Sequence, residues 1–385
     1  MIQMLGRQTL ALERGAVVCA GAALGGKREG EGPLAACFDA IAEDGYFGQK
    51  SWEAAETAML GQCFQTVCAK AGLEPGALRY LISGDLQNQC TGSGYASRGT
   101  DLPYWGLYSA CATMGEALGL GALLCELGAD PVCAMTSSHF CSAERTYRTP
   151  LEYGAQRAPT AQWTVTAAGA AILRSGGTGP RITHVTTGRV VDAGVTDSAD
   201  MGAAMAPAAL DTLLSHFSDT GRKPLYYDAI ITGDLGEFGR GILAELLRAE
   251  GFEALPAVFT DCGCLIYDAA AQDVHAGGSG AGCSASVFAG HILHQLREGR
   301  WQRVLFAPTG ALMSPTLVQQ GESIPAVCHA VALEAAPGTE RPKPMPPAKG
   351  TAVEAAEAIA QAVRAHRKGA DAAEAEDVAR RAMED

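Results

Sequence analysis

Residues 103–127 read PYWGLYSACATMGEALGLGALLCEL. Tyr-Ser-Ala-Cys precedes a long Ala/Leu/Gly helical run, so Cys111 falls at or just before the first helical turn. There the unpaired amides and the helix dipole lower a thiol's pKa and suit it to act as a nucleophile or as the partner of an anion. Gly115, Gly119 and Gly121 let that helix pack closely at the centre of the molecule. The plainer reading of one cysteine in an Ala-rich helix is a small buried residue.

A second group of residues suits the capture of a small dianion. That task needs amide and hydroxyl donors, a cationic group, and acidic residues if calcium is held too. Thr136, Ser137, Ser138 and His139 follow the strand-like run 131–135, at a strand end where α/β clefts open, and Glu144, Arg145 and Arg148 come soon after. Gly278, Ser279 and Gly280 lie in a glycine-rich loop, GGSGAGCS, at a helix start that can cradle carboxylate oxygens. The alternatives are an N-cap with a satisfied histidine and a packing turn that lacks a P-loop lysine. Asp85 and Asp234 each stand in a Gly-Asp-Leu triplet, where they either serve the cleft or cap buried amides. Gln162 and Trp163 belong to the cleft, a subunit contact or the core, and Gln320 and Glu322 hold the matching place later in the chain.

The elements that must position these groups recur in order. RYLISGDL (79–86) and DAIITGDL (228–235) are short β-rich runs ending in an acidic residue, each preceded by an Ala/Leu-rich helical stretch, 53–71 and 203–217. GADPVCAMTSS (128–138) pairs with GRWQRVLFAPTG (299–310), PTAQW (159–163) with PTLVQ (315–319), and AAGAAIL (167–173) with AVCHAVAL (326–333). Such pairings in register indicate an α/β chain of two duplicated βαβ-rich halves with a cleft between them. The Gly/Pro-rich SGGTGPR, 175–181, sets the boundary, giving halves 1–177 and 178–334, a Pro-rich linker 335–350 and an Ala-rich helical tail 351–385.

Composition removes other classes. The chain has 29 Lys+Arg against 42 Asp+Glu, a net charge of −13, which repels nucleic acid backbones. No apolar run reaches the roughly 18–20 residues that span a bilayer. The N-terminal MIQMLGRQTLALERG breaks at Glu13 and Arg14, so neither a spanning segment nor Sec export is expected. Its 13 cysteines include no C-x-x-C pair, and Cys262-Gly263-Cys264 has the wrong spacing for a zinc knuckle; reduced thiols and no metal site are expected.

A cysteine opening a central helix in a duplicated α/β chain is the thiolase-fold pattern. The local text is more specific. GLYSACATMGEALGLGALL, TSSHFCSAERTYRTPLEYGAQRAPTAQWTVTAAGAAIL, ITGDLGEFG, TDCGCLIYD, GGSGAGCSASVFAGHIL and PTGALMSPTLVQQGESIPAVCHAV together resemble the stage V sporulation protein AD family of endospore formers, over roughly residues 5–334. The resemblance implies a thiolase-like fold in five αβαβα layers, with the tail as an extension. It also implies non-catalytic binding of dipicolinic acid (pyridine-2,6-dicarboxylate) and its calcium chelate, for uptake into the developing spore with membrane partners of the same operon. It places the protein at the periphery of the spore inner membrane. No cofactor is expected; calcium enters as part of the chelate. A homodimer is expected by analogy with the fold.

A condensing or acyl-transfer enzyme acting through Cys111 is the competing reading. It needs a His/His or His/Asn pair to stabilise an enolate oxygen and move a proton. In ketoacyl synthases one such His follows the first strand of the second half, read here as AIITGDL, where Gly233-Asp234 stands instead. The other position is read at Phe259–Gly263, which holds no His or Asn. Of the histidines, His139 and His275 are read as the two in loops able to face the cleft, with His291 and His294 on a helix surface. Cys111 is thus read as a vestigial nucleophile within the binding set Cys111, Asp85, Thr136, Ser137, Ser138, His139, Asp234, Gly278, Ser279 and Gly280.

Overall fold

The same strand order occurs twice. The computed structural model describes residues 2–147, 157–252 and 258–341, so Arg148, the end of the linker and the tail 351–385 lie outside the described residues. The main sheet has 12 strands, of which ten build two five-stranded sets. The first set is β1 (Thr9–Gly25), β2 (Tyr80–Gly84), β3 (Tyr104–Gly106), β4 (Val132–Ser138) and β5 (Ala167–Arg174). The second is β6 (Arg181–Thr186), β7 (Ala229–Thr232), β8 (Phe259–Asp261), β9 (Arg303–Ala307) and β10 (Ala330–Glu334). Across the sheet they run β8-β7-β9-β10-β6-β1-β5-β4-β2-β3. Within each set the third strand is outermost, then the second, fourth, fifth and first. Only the fifth strand opposes its neighbours. The first strands join the sets edge to edge and antiparallel, with Thr9 opposite Thr186 and Ala16 opposite Ile182.

Strand alternation sorts the core into layers. In β4, Val132 and Ala134 enter the central core while Cys133 and Met135 enter an outer one. In β9, Val304 and Phe306 go centrally and Leu305 and Ala307 outward. Helix α1 (Trp52–Ala71) covers one outer face with Met59, Leu60, Cys63 and Phe64. It is N-capped by Ser51 and stopped by Gly72 at φ 63°. Between the two five-stranded sets lie α2 (Thr113–Glu126) and the helix opened by α6 (Ala281–Ser286), while α4 (Met201–Thr220) and α5 (Gly236–Ala249) cover the opposite outer face. Helix α3 (Phe140–Tyr147) follows β4 at the end of the sheet where the site forms. These are the five αβαβα layers of the thiolase-like arrangement.

Close backbone approach fixes the central layer. A Cβ on Gly169 of β5 would sit 2.2 Å from the carbonyl carbon of Ala285, and one on Gly282 of α6 2.2 Å from the Ala167 oxygen. Glycine at both contacts lets α6 lie directly on β5.

Two details of the repeat differ from the sequence reading. AIITGDL is the second strand of its set, because β6 precedes it and pairs with β1. PTAQW and PTLVQ are not equivalent: Trp163–Thr164 is a short strand pairing with Gly278–Ser279, whereas Pro315–Gln319 is a helical turn capped by Ser314.

Candidate functional site

The end of β7 and the start of α2 meet at a buried thiol. Ala110 has φ 48°, a left-handed conformation that costs a non-glycine residue energy. It turns the chain into α2 and sets Cys111 in a cavity wall. Asp234, just past β7, is fully buried. Its Oδ2 accepts from Ser279 Oγ and the Gly280 amide, each at 2.9 Å, and its Oδ1 from Thr309 Oγ1 at 3.1 Å. The Cys111 thiol lies near enough to the same carboxylate to feel its charge.

These contacts decide the protonation states. Burial pushes the Cys111 thiol well above its ordinary value, and the Asp234 charge pushes it further. Burial also lifts Asp234 to about 6. The helix-start position therefore does not produce a thiolate: the lowering by the Gly280 amide is outweighed. This corrects the expectation of a depressed thiol pKa at Cys111.

The cavity is a half-open hollow of about 440 Å³, counted with the solvent at its mouth. Its walls are mainly apolar: Leu86, Ala110, Ala143, Met201, Ala311 and Met313. Its polar atoms come from Cys111, Tyr108, Tyr147, Thr164, Ser279 and Glu144. Tyr147 donates its hydroxyl to the Leu86 carbonyl at 2.7 Å, so Tyr108, 2.7 Å away, donates to Tyr147. Glu144 is buried and accepts from Thr164 Oγ1 at 3.2 Å. No Lys, Arg or His of the described residues lines this wall.

The family model described as Stage V sporulation protein AD matches residues 6–334. The chain belongs to the stage V sporulation protein AD family. The Bacillus subtilis (strain 168) stage V sporulation protein AD is 40% identical to it over 338 residues, covering 88% of this chain and 99% of that protein. Acat5 thiolase from Ascaris suum in complex with coenzyme A superposes with a TM-score of 0.54 at 10% identity, covering 83% of this chain and 100% of that one. 3-oxoacyl-(acyl-carrier-protein) synthase III from Aquifex aeolicus VF5 does so at 0.50 and 12% identity, with 83% and 100% covered. At such identities the likeness establishes the thiolase-like fold alone. No helix among the described residues is long and apolar enough to cross a membrane.

In this family member the residues singled out by sequence divide into two groups. Cys111 and Ser279 line the cavity, with Asp234 and Gly280 bound directly behind them. The others meet other partners. Thr136 Oγ1 donates to the Ala281 carbonyl at 3.0 Å, Ser137 Oγ to Glu56 Oε1 at 3.0 Å, and Ser138 Oγ to the Val165 carbonyl at 2.7 Å. Asp85 accepts from the amides of Gln87 and Ser93 at 2.7 and 2.6 Å. Gly278 pairs in the short strand with Trp163. The Gly280 and Gly282 amides go to Asp234 and Ser138, so neither is left to cradle an anion.

The histidines also sit differently from the reading. His139 is buried, with Nε2 2.6 Å from the Gly45 carbonyl and Nδ1 accepting from the Cys141 amide, so it does not face the cavity. His275 contacts the Ala158 carbonyl and Asp273. His291 is half-buried against Trp301, while His294 is exposed. Phe259–Gly263 does not reach Cys111. There Asp261 accepts from Thr232 Oγ1 and the amides of Leu235, Gly236 and Gly263, holding the turn that carries Asp234. Ser279, not that segment, stands beside the thiol.

Gln162 is buried and donates to the Asp234 carbonyl; Trp163 stacks on Phe140 at 3.8 Å. Arg145 pairs outward with Glu53, and Gln320 and Glu322 are exposed. Sequence reasoning missed Tyr108, Tyr147 and Leu86. Ala143 and Tyr147 share a helix face at i,i+4 spacing, which was a usable signal.

Proposed function

We propose that this protein binds dipicolinate as its calcium chelate, without transforming it, in the cavity beside Cys111. The observation that carries the reading is the Cys111–Asp234 pair. A thiol that burial and a neighbouring carboxylate push well above its ordinary pKa stays protonated and is a poor nucleophile. The cavity's composition supports the chelate over the free diacid. Dipicolinate carries two negative charges at neutral pH and would meet a largely apolar wall. Calcium cancels those charges and leaves a flat aromatic body for Leu86, Ala143 and Met313. The hydroxyl protons of Tyr108, Tyr147 and Ser279 go to Tyr147, the Leu86 carbonyl and Asp234, so their oxygens offer lone pairs to the calcium rather than hydrogen bonds to the carboxylates.

This reading extends to the setting. The protein acts with membrane partners of its operon at the periphery of the spore inner membrane, loading the chelate into the developing spore. It works as a homodimer. The open edge of β3, with Tyr104 and Trp105 exposed, supports pairing with a second copy.

Calorimetry on the full chain tests it: dipicolinate with equimolar calcium should give saturable heat, and dipicolinate with chelator should bind at least tenfold more weakly. No saturable signal at millimolar chelate removes the reading.

A further inference from the structure

We propose that Glu56, which lies outside the cavity, is the positioning residue that holds two of its walls together. Glu56 sits on α1 with no exposed surface. Its carboxylate gathers donors from three separate segments. Ser137 Oγ at the end of β4 donates to Oε1 at 3.0 Å. Gln87 Nε2 and Ser142 Oγ donate to Oε2 at 2.8 and 3.0 Å. Gln87 is covalently next to Leu86, one wall of the cavity. Ser142 is next to Ala143 on α3, the helix that supplies Ala143, Glu144 and Tyr147 to the facing wall.

On the cavity side the same two segments are tied by the Tyr147 hydroxyl on the Leu86 carbonyl. The 85–87 turn and α3 are thus clamped twice, at the wall by Tyr147 and from behind by Glu56. A buried carboxylate is a poor source of stability, because its desolvation offsets what its partners return. What it does supply is direction: three hydrogen bonds fix three backbones relative to one point. The Asp85 carboxylate is the close neighbour. It is held by the Gln87 and Ser93 amides, so it orders the same turn from its other side.

The proposal rests on the ligand-binding reading only for its second readout. The test is Glu56→Gln in the full chain, with Ser142→Ala as the milder variant that removes one of the three bonds. Each is labelled with a maleimide at pH 8, and the modified cysteines are read by mass spectrometry. Cys63 and Cys133, buried in the outer core away from the cavity, report global opening in the same sample. Cys111 labelling should rise about tenfold in the Gln variant and less in Ser142→Ala, with Cys63 and Cys133 at the wild-type rate. Affinity for calcium dipicolinate should weaken in the same order. Faster Cys111 labelling in variants whose wild type binds no chelate upholds the role of Glu56 and removes the ligand instead. Unchanged Cys111 labelling in both variants overturns the proposal, and so does labelling of all three cysteines rising together.

Discussion

The Asp234 charge pushes the buried Cys111 thiol further above its ordinary value, so the thiol beside it stays protonated rather than activated. The carboxylate accepts from Ser279, Gly280 and Thr309, so it is a fixed acceptor behind the cavity wall. A thiol in that place is a polar contact of the cavity wall.

Its reactivity should follow. Incubation with acyl-CoA should leave no adduct on Cys111 by mass spectrometry. Asp234→Asn removes the negative neighbour and should speed Cys111 alkylation at pH 8 by about tenfold, the effect of lowering the thiol pKa by about one unit. A stable acyl adduct on the wild type, lost in Cys111→Ala, would establish the enzyme reading.

Asp234 also gives stability a pH dependence of known sign. Its folded pKa, about 6, lies above the ordinary 3.8, so the folded state holds this proton more tightly than the unfolded chain does. The stabilisation is complete below about pH 4 and is lost as pH rises toward 6, with a slope of at most about 1.4 kcal/mol per pH unit. Urea denaturation between pH 4 and 7 should show wild type losing stability relative to Asp234→Asn. Parallel curves would contradict the assignment.

Asp261 carries the turn. Its four donors come from β7, α5's start and its own cap, and all are buried. Asp261→Ala leaves them unsatisfied and should cost about 3 kcal/mol or more in urea denaturation. A loss under about 1 kcal/mol would mean that water or a rearranged turn replaces the carboxylate.

Two glycine substitutions should act in opposite directions. Gly169→Ala places a methyl against the Ala285 backbone and should destabilise by about 1–3 kcal/mol or more, because α6 must move off β5. Gly61 lies in α1 with open space around it, and Gly61→Ala should stabilise by about 0.5–1 kcal/mol. Equal melting temperatures for the two variants would refute the close-packed central layer.

The legible parts of this molecule were those with a local signature. Short β-branched runs ending in Gly-Asp-Leu announced β2 and β7, and Ala/Leu-rich runs announced α1 and α4. β1 was not legible. Its run from Thr9 to Gly25 is interrupted by Glu13-Arg14-Gly15, where its pairing with β6 slips between Ala11 and Ala16. Nor does local sequence say that β1 and β6 meet edge to edge, since that pairing spans more than 150 residues. Ser279 and Asp234 could be named as candidates, yet their convergence on Cys111 is tertiary. Glu56 had a quiet signal: in EAAETAML it shares the buried face of α1 with Ala55, Met59 and Leu60. A carboxylate at that spacing announces a buried polar hub before its partners are known.

The most direct test is a crystal structure of the full chain grown with calcium dipicolinate. The account predicts an intact chelate beside Cys111 and Ser279, its ring between Leu86 and Met313 and the Cys111 sulfur unmodified. An empty cavity at saturating chelate, or a covalent bond at Cys111, would contradict it.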